Sequence, residues 1–186
     1  MQDKALTAAT PLLNFTHVDI VRLVASRGWA SLTDYDKIGA VYGFVKDEID
    51  FGYNRSDDLS ASEILQDGYG QCNTKGTLLM ALLRALDISC RLHGFTIEQS
   101  LQKGAIPPVI YQLAPKYILH SWVEVYFTKR WINLEGFILD QTYLSAIQQR
   151  FSSQGEAFCG YGVATTCLAA PQVEWQGSDT YIQKEG

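Results

Sequence analysis

The chain has 186 residues, a formal net charge of −5, and 47% apolar and 12% aromatic residues. That length suffices for one sizeable core, and the composition lacks the low hydrophobicity and high charge of a disordered chain. The acidic balance speaks against nucleic acid or an anionic membrane as the main partner, because both bind basic surfaces.

No basic segment followed by an apolar run opens the chain, and no stretch approaches the roughly 20 apolar residues of a membrane span. A cytoplasmic location is therefore expected, with no membrane partner. The four cysteines are Cys72, Cys90, Cys159 and Cys167. A chain of this size without a secretory signal needs no covalent staples, so free thiols are expected.

In chain order, a first helix is predicted over residues 18–26. Thr16 serves as its cap, Asp19 occupies the capping-box position and Gly28 follows its end. A second helix is predicted over 35–49, where Ile38, Val41, Tyr42, Val45 and Ile49 recur at helical spacing. Ser60 and Glu63 form a capping box for a short helix over 61–65. A loop with two glycines, Asp67-Gly68-Tyr69-Gly70-Gln71, then leads into Cys72 and a helical run to Leu86. Leu78, Leu79, Leu82 and Leu86 mark that helix as the central buried one.

After Asp87 the pattern changes to strands, expected over 88–97, 118–127 and 131–135, with Thr128-Lys129 as a two-residue hairpin turn. A helix over 143–151 and an irregular Gly-rich tail follow. Helices first and strands afterwards imply an α+β fold with an antiparallel sheet. We expect one domain over 1–186, with a core near 37–140 and a C-terminal extension over 141–186.

Cys72 is the sharpest chemical feature. At a helix N-terminus, free N–H groups and the macrodipole stabilise a thiolate and lower its pKa. The same groups can receive a developing oxyanion. A small buried core residue is the bland alternative. His120 lies in a strand whose alternation places it on one face with Trp122 and Glu124. With the hairpin at Thr128-Lys129, Glu135 falls opposite Trp122 and diagonal to His120, within reach of its ring. Glu135 can then fix the histidine tautomer. A one-residue slip would turn it away. Asp140 is the rival acid, but in this register it lies on the opposite face and reads better as a cap before a helix. Cys90 and His93 have a C-x-x-H spacing, but no second ligand pair accompanies them, and alternation puts them on opposite faces. No metal and no cofactor are expected.

These segments resemble the transglutaminase-like superfamily. Gly68-Tyr69-Gly70-Gln71-Cys72, the apolar helix and Arg91 are similar to its nucleophile segment. His120-Ser121-Trp122-Val123-Glu124 is similar to its H-x-W-x-E strand, and Trp131 followed by Glu135 to its W-x-x-x-D strand. The resemblance covers about residues 37–140. It implies a papain-like core, a Cys72–His120–acid triad and acyl transfer through a thioester to water or an amine. Glu135 stands where the family usually has Asp. Tyr69, Gly70, Gln71 and Trp122 are the candidates for substrate or oxyanion contacts.

Three functions fit this reading: hydrolysis of an amide or isopeptide bond, transfer of the acyl group to an amine, and binding without turnover. The substrate would be a peptide, a protein or a small amide. The connection over 96–117 is unusually long and contains Pro107-Pro108 and Pro115. Its apolar residues Ile106, Val109, Ile110, Tyr111 and Leu113 suggest a lid bordering the site, packed on the domain or on substrate. A surface excursion packed away from Cys72 is the alternative.

Overall fold

The computed structural model describes residues 4–152 and 157–183. Its central element is helix α4, Cys72–Ala85, in which Leu78, Leu79, Leu82 and Leu83 are all fully buried. A helix apolar on most of its surface must be covered on several sides. On one side lie α1 (Val18–Ser26), α2 (Asp34–Asp47) and α3 (Ala61–Asp67), which contribute Ile20, the Ile38–Val41–Tyr42–Val45 stripe and Ile64. On the other lies the antiparallel sheet of β3 (Cys90–Glu98), β4 (Tyr117–Phe127) and β5 (Arg130–Leu134), in that spatial order. Gly76 of α4 faces the sheet, where a Cβ would lie in ordinary contact with Val123, Leu92 and Phe137.

Caps explain where the helices begin. Glu63 accepts from the Ser60 N–H at 2.9 Å and starts α3. The cap of α1 is His17 rather than Thr16, with Nδ1 accepting from the Asp19 N–H at 3.3 Å. Helix α2 starts one residue before the expected position, because the Thr33 hydroxyl caps it. It stops at Asp47, although Ile49 is still buried beyond its end. The fully buried Lys75 ties α4 to that end by donating to the carbonyls of Ile49 (2.7 Å) and Lys46 (3.2 Å). Burial pushes its pKa down to about 7.

Strand register follows from the hairpin. Thr128 and Lys129 both adopt positive φ, 49° and 66°, as a twist-matched two-residue turn requires. Phe127 pairs with Arg130, and the ladder runs on to Val123 opposite Leu134. Glu135 is therefore level with Trp122, as the sequence pattern requires.

Elements beyond the sequence pattern also occur. β1 (Asp50–Phe51) pairs in parallel with β2 (Tyr69–Gly70), holding the loop before Cys72. Helix α5, Pro108–Leu113, forms within the long connection, with proline in its first turn. Helix α6 spans Gln141–Arg150, starting before the expected position because Asp140 caps it. The Gly-rich tail contains the hairpin β6 (Phe158–Gly160) and β7 (Val163–Thr165).

Beyond β7 the chain returns along the outer edge of β5. Thr180 N–H donates to the Asn133 carbonyl at 2.9 Å, and Thr180 Oγ1 accepts from the N–H groups of Glu135 and Gly136 at 3.1 Å each. Asp179 accepts from the Asn133 backbone and side chain, at 2.9 Å each. This strap covers the free sheet edge and fixes the backbone on both sides of Glu135.

Gly136 is where the strap meets the core. A Cβ there would lie 2.7 Å from Val173 Cα and 2.5 Å from the Tyr42 hydroxyl. Backbone cannot yield as a flexible side chain does. Gly136→Ala is expected to cost about 1–3 kcal/mol, read from the urea midpoint of unfolding. An unchanged midpoint would show that the strap is not packed this way.

Candidate functional site

Cys72 is the first residue of α4, so its N–H and that of Asn73 have no acceptor within the helix. The preceding turn is tightly specified. Gly70 passes so close to the helix that a Cβ would lie 2.7 Å from Thr74 Oγ1 and 3.1 Å from Lys75 N. Thr74 reaches back to accept from the Gln71 N–H at 2.9 Å. The thiol is thus delivered at the helix tip by a glycine that no larger residue can replace without displacement.

β4 brings His120 to the same point, almost fully buried. Its Nε2 lies 2.8 Å from Glu135 Oε1. Nε2 is thus taken, which leaves Nδ1 for Cys72, the side chain that lines the same cleft beside His120. Burial raises the Cys72 pKa, but hydrogen bonding and charge from His120, with Ser121 adding to them, outweigh it, and the net shift is downward. For His120, burial pushes the pKa down, while hydrogen bonds and charge from Cys72 and Glu135 raise it to about 9. Both directions favour a thiolate–imidazolium pair. Cys90 contrasts with this, since burial drives its thiol up to about 11.

Glu135 is 0% exposed. Its second oxygen, Oε2, accepts from the Ile182 N–H at 3.2 Å, so the strap holds one oxygen while the imidazole holds the other. Asp140 does not face His120. Its Oδ1 accepts from the Tyr143 N–H (2.7 Å) and its Oδ2 from the Phe51 N–H (2.8 Å), which makes it a buried cap. Glu124 pairs with Arg91 at 2.5 Å and His93 at 3.4 Å, on the open side of the sheet.

A cleft of about 300 Å³ opens over Cys72 and His120. Gln71, Asn73, Ile97, Leu101, Ile118 and Tyr53 are among the residues that line it. Gln71 is the one of the four expected contact residues in this lining. Tyr69 packs against Gly52, and Gly70 is buried under the helix. Trp122 is buried beside the histidine, stacked on His93 at 4.3 Å and donating from Nε1 to Asn133 Oδ1 at 2.8 Å. Its ring belongs to the support of β4 and does not line the cleft.

The long connection divides in two. Ile97, Leu101 and Gln102 line the cleft. Ile110 and Tyr111 do not, and helix α5 buries none of its residues, Leu113 being 83% exposed. Val109, Ile110 and Leu113 are therefore exposed rather than packed as expected, while Ile106 and Tyr111 are half-buried. The cause is the length of the ladder: β3 and β4 pair as far as Glu98 with Tyr117, carrying the excursion past the end of the sheet.

Tyr53, Asp57, Ser121 and Gln183 also line the cleft, and the sequence pattern flags none of them. They come from three separate segments, the loop after β1, β4 and the C-terminal strap, so no spacing links all of them. Burial, followed by the nearby Cys72 charge, raises the Tyr53 pKa. The four cysteines are free, and no group of three potential metal ligands occurs among the described residues. No helix among them is long and apolar enough to cross a membrane.

No curated protein sequence matches the chain. Among solved structures, a candidate cysteine protease from Cytophaga hutchinsonii superposes with a TM-score of 0.55 at 17% identity, covering 75% of this chain and 43% of that one. The periplasmic domain of TgpA from Pseudomonas aeruginosa, bound to ethylmercury, gives a TM-score of 0.42 at 16% identity, covering 61% and 42%. The chain thus matches less than half the length of either. The first likeness shows a shared α+β, papain-like fold. The sequence profile of the transglutaminase-like superfamily matches residues 25–136, more than half of the chain, with Cys72, His120 and Glu135 all inside it. This chain belongs to the transglutaminase-like superfamily.

Proposed function

We propose that the protein is a cysteine-nucleophile enzyme that hydrolyses an amide or isopeptide bond of a peptide or protein through a thioester. The observation that carries this is the 2.8 Å contact of Glu135 Oε1 with His120 Nε2, in the wall of a cleft that Cys72 shares with His120. A nucleophile, a base and an orienting acid are the minimum set for such chemistry.

In this mechanism Cys72 Sγ attacks the substrate carbonyl carbon. The carbonyl oxygen takes up the negative charge facing the N–H groups at the start of α4. His120, as imidazolium, gives its proton to the leaving amine, and the C–N bond breaks. The neutral imidazole then takes a proton from water as the water oxygen attacks the thioester, and Cys72 leaves as the thiolate. Glu135 holds the ring and supports its cationic form. Cys72 is only partly buried, so water has access to the thioester. An amine acting in place of water would give acyl transfer on the same machinery.

An activated thiolate should distinguish itself from ordinary cysteines. Iodoacetamide at pH 7 is expected to label Cys72 at least tenfold faster than Cys90, Cys159 or Cys167, measured by peptide mass mapping. Labelling should persist below the ordinary thiol value of 9.0, because the Cys72 pKa is lowered. Turnover should fall as pH rises through about 9, where the imidazolium that protonates the leaving group is lost. Uniform labelling of the four cysteines would refute the assignment of Cys72.

The acid is tested by comparing two isosteric changes. Glu135→Gln is expected to lower kcat on the order of 100-fold or more, since an amide neither secures the tautomer nor stabilises the cation. Asp140→Asn retains a good cap and should act mainly on stability. Equal losses of kcat in the folded variants would show that Glu135 does not orient the base.

A further inference from the structure

A second cavity lies beside the catalytic cleft. It measures about 380 Å³ and shares Ile97, Leu101 and Gln183 with the cleft over Cys72. Phe95, Ile97, Leu101 and Ala164 make its lining mainly apolar, and the thiol of Cys159 adds to that character. Glu98, which is exposed, is its only carboxylate, and neither Lys nor Arg lines it among the described residues.

The walls come from three parts of the chain: the end of β3 with the turn Gln99–Gln102, the hairpin of β6 and β7, and the strap. Hydrogen bonds tie these parts together. Gly162 N–H donates to the Leu101 carbonyl and Tyr161 N–H to the Lys103 carbonyl, at 2.8 Å each. Ala164 N–H donates to the Ile182 carbonyl at 2.8 Å, and Gln183 Nε2 to the Gly162 carbonyl at 2.6 Å. Walls bonded to one another in this way hold the cavity preformed, as binding pockets usually are. Water in a mainly apolar space finds few partners, so an apolar group that displaces it is favoured.

We infer that this cavity is a subsite for an apolar side chain of the substrate, flanking the bond that Cys72 attacks. The inference rests on the acyl-transfer reading of Cys72. Three observations select the occupant. The shared residues put the cavity next to a substrate seated on the nucleophile. An acidic side chain finds no cation there and is repelled by Glu98. A polar side chain leaves hydrogen bonds unmade against Phe95, Ile97, Leu101 and Ala164. Size is no obstacle, since an apolar cavity of roughly 150 Å³ already admits benzene.

The test uses chloroacetamides in which a chain of one to six methylenes joins the amide nitrogen to a phenyl, a hydroxyl or an ammonium end. Initial rates of Cys72 alkylation are read by peptide mass mapping. At one chain length the phenyl reagent is expected to react about tenfold faster than its hydroxyl counterpart, as burial of one apolar group gives. Cys159→Trp, which fills the cavity, should remove that gain and leave the hydroxyl rates unchanged. A second readout needs no variant. Once Cys72 carries the phenyl reagent of best length, Cys159 should react several-fold more slowly with N-ethylmaleimide, because the ring lies beside it. Cys167 lines neither cavity and should keep its rate. A phenyl preference equal at every length, or Cys159 left unprotected, overturns the subsite, since the apolar wall of the cleft itself would then explain the preference. Faster reaction of the ammonium reagents overturns it too, by giving the cavity to Glu98. In each of these cases the nucleophile stands, provided that Cys72 still outpaces Cys167. Cys72 reacting no faster than Cys167 with any reagent overturns the underlying acyl-transfer reading instead.

Discussion

A fully buried carboxylate is the constraint around which this structure is arranged. Taking Glu135 out of water costs several kcal/mol unless charge and hydrogen bonds replace its hydration. His120 supplies the charge on one oxygen, and the Ile182 N–H supplies a donor on the other. Removing either side would leave a buried charge uncompensated. The raised pKa of His120 is the reciprocal of this arrangement: the imidazole is held cationic in part by the carboxylate that needs a cation. Cys72 completes the chain, because the same imidazolium lowers its pKa against the opposing effect of burial.

The extra methylene of glutamate has a place in this geometry. Residue 135 lies one position past the end of β5, where the backbone is secured by Thr180 rather than by β4. From there the side chain spans the diagonal to His120 while its far oxygen reaches the strap. The C-terminal segment therefore does more than cover a sheet edge. It fixes the backbone at Asn133, Glu135 and Gly136, and it donates the N–H that holds the carboxylate. Stability of the strap and orientation of the His120 ring are in this way linked, and Tyr42 binds both Val173 and Thr180 from the core side.

The surroundings of the cleft differ in character from its floor. The floor consists of rigid elements, the start of α4 and the middle of β4. The walls come from connections: the loop after β1, the turn after β3 and the last described residues of the strap. A second cavity of about 380 Å³, lined by Phe95, Ser100 and Cys159, shares Ile97, Leu101 and Gln183 with the first. Chemistry built on the scaffold and recognition built on loops is the usual division. Val109, Ile110 and Leu113 of helix α5 line neither cavity and are exposed, so apolar composition alone does not place a segment against the core.

What the sequence determined by itself was the set of local relations. Period-3.6 and period-2 patterns located α4, β4 and β5, because each has a buried face whose side chains must be apolar. The hairpin at Thr128-Lys129 set the register, and register by parity alone put Glu135 on the face of His120. Cys72 was legible because a glycine turn and a helix start are adjacent in the chain. The tertiary structure decided what depends on residues far apart in sequence. Asp140 became a cap once Phe51, 89 positions away, offered its N–H. Trp122 became a support when its strand turned the ring toward His93 and Asn133. Asp57, Ser121 and Gln183 entered the cleft, and Ile182 met Glu135, only when four segments converged. No periodicity encodes such meetings, since they arise from packing between elements and leave no regular spacing within any one of them.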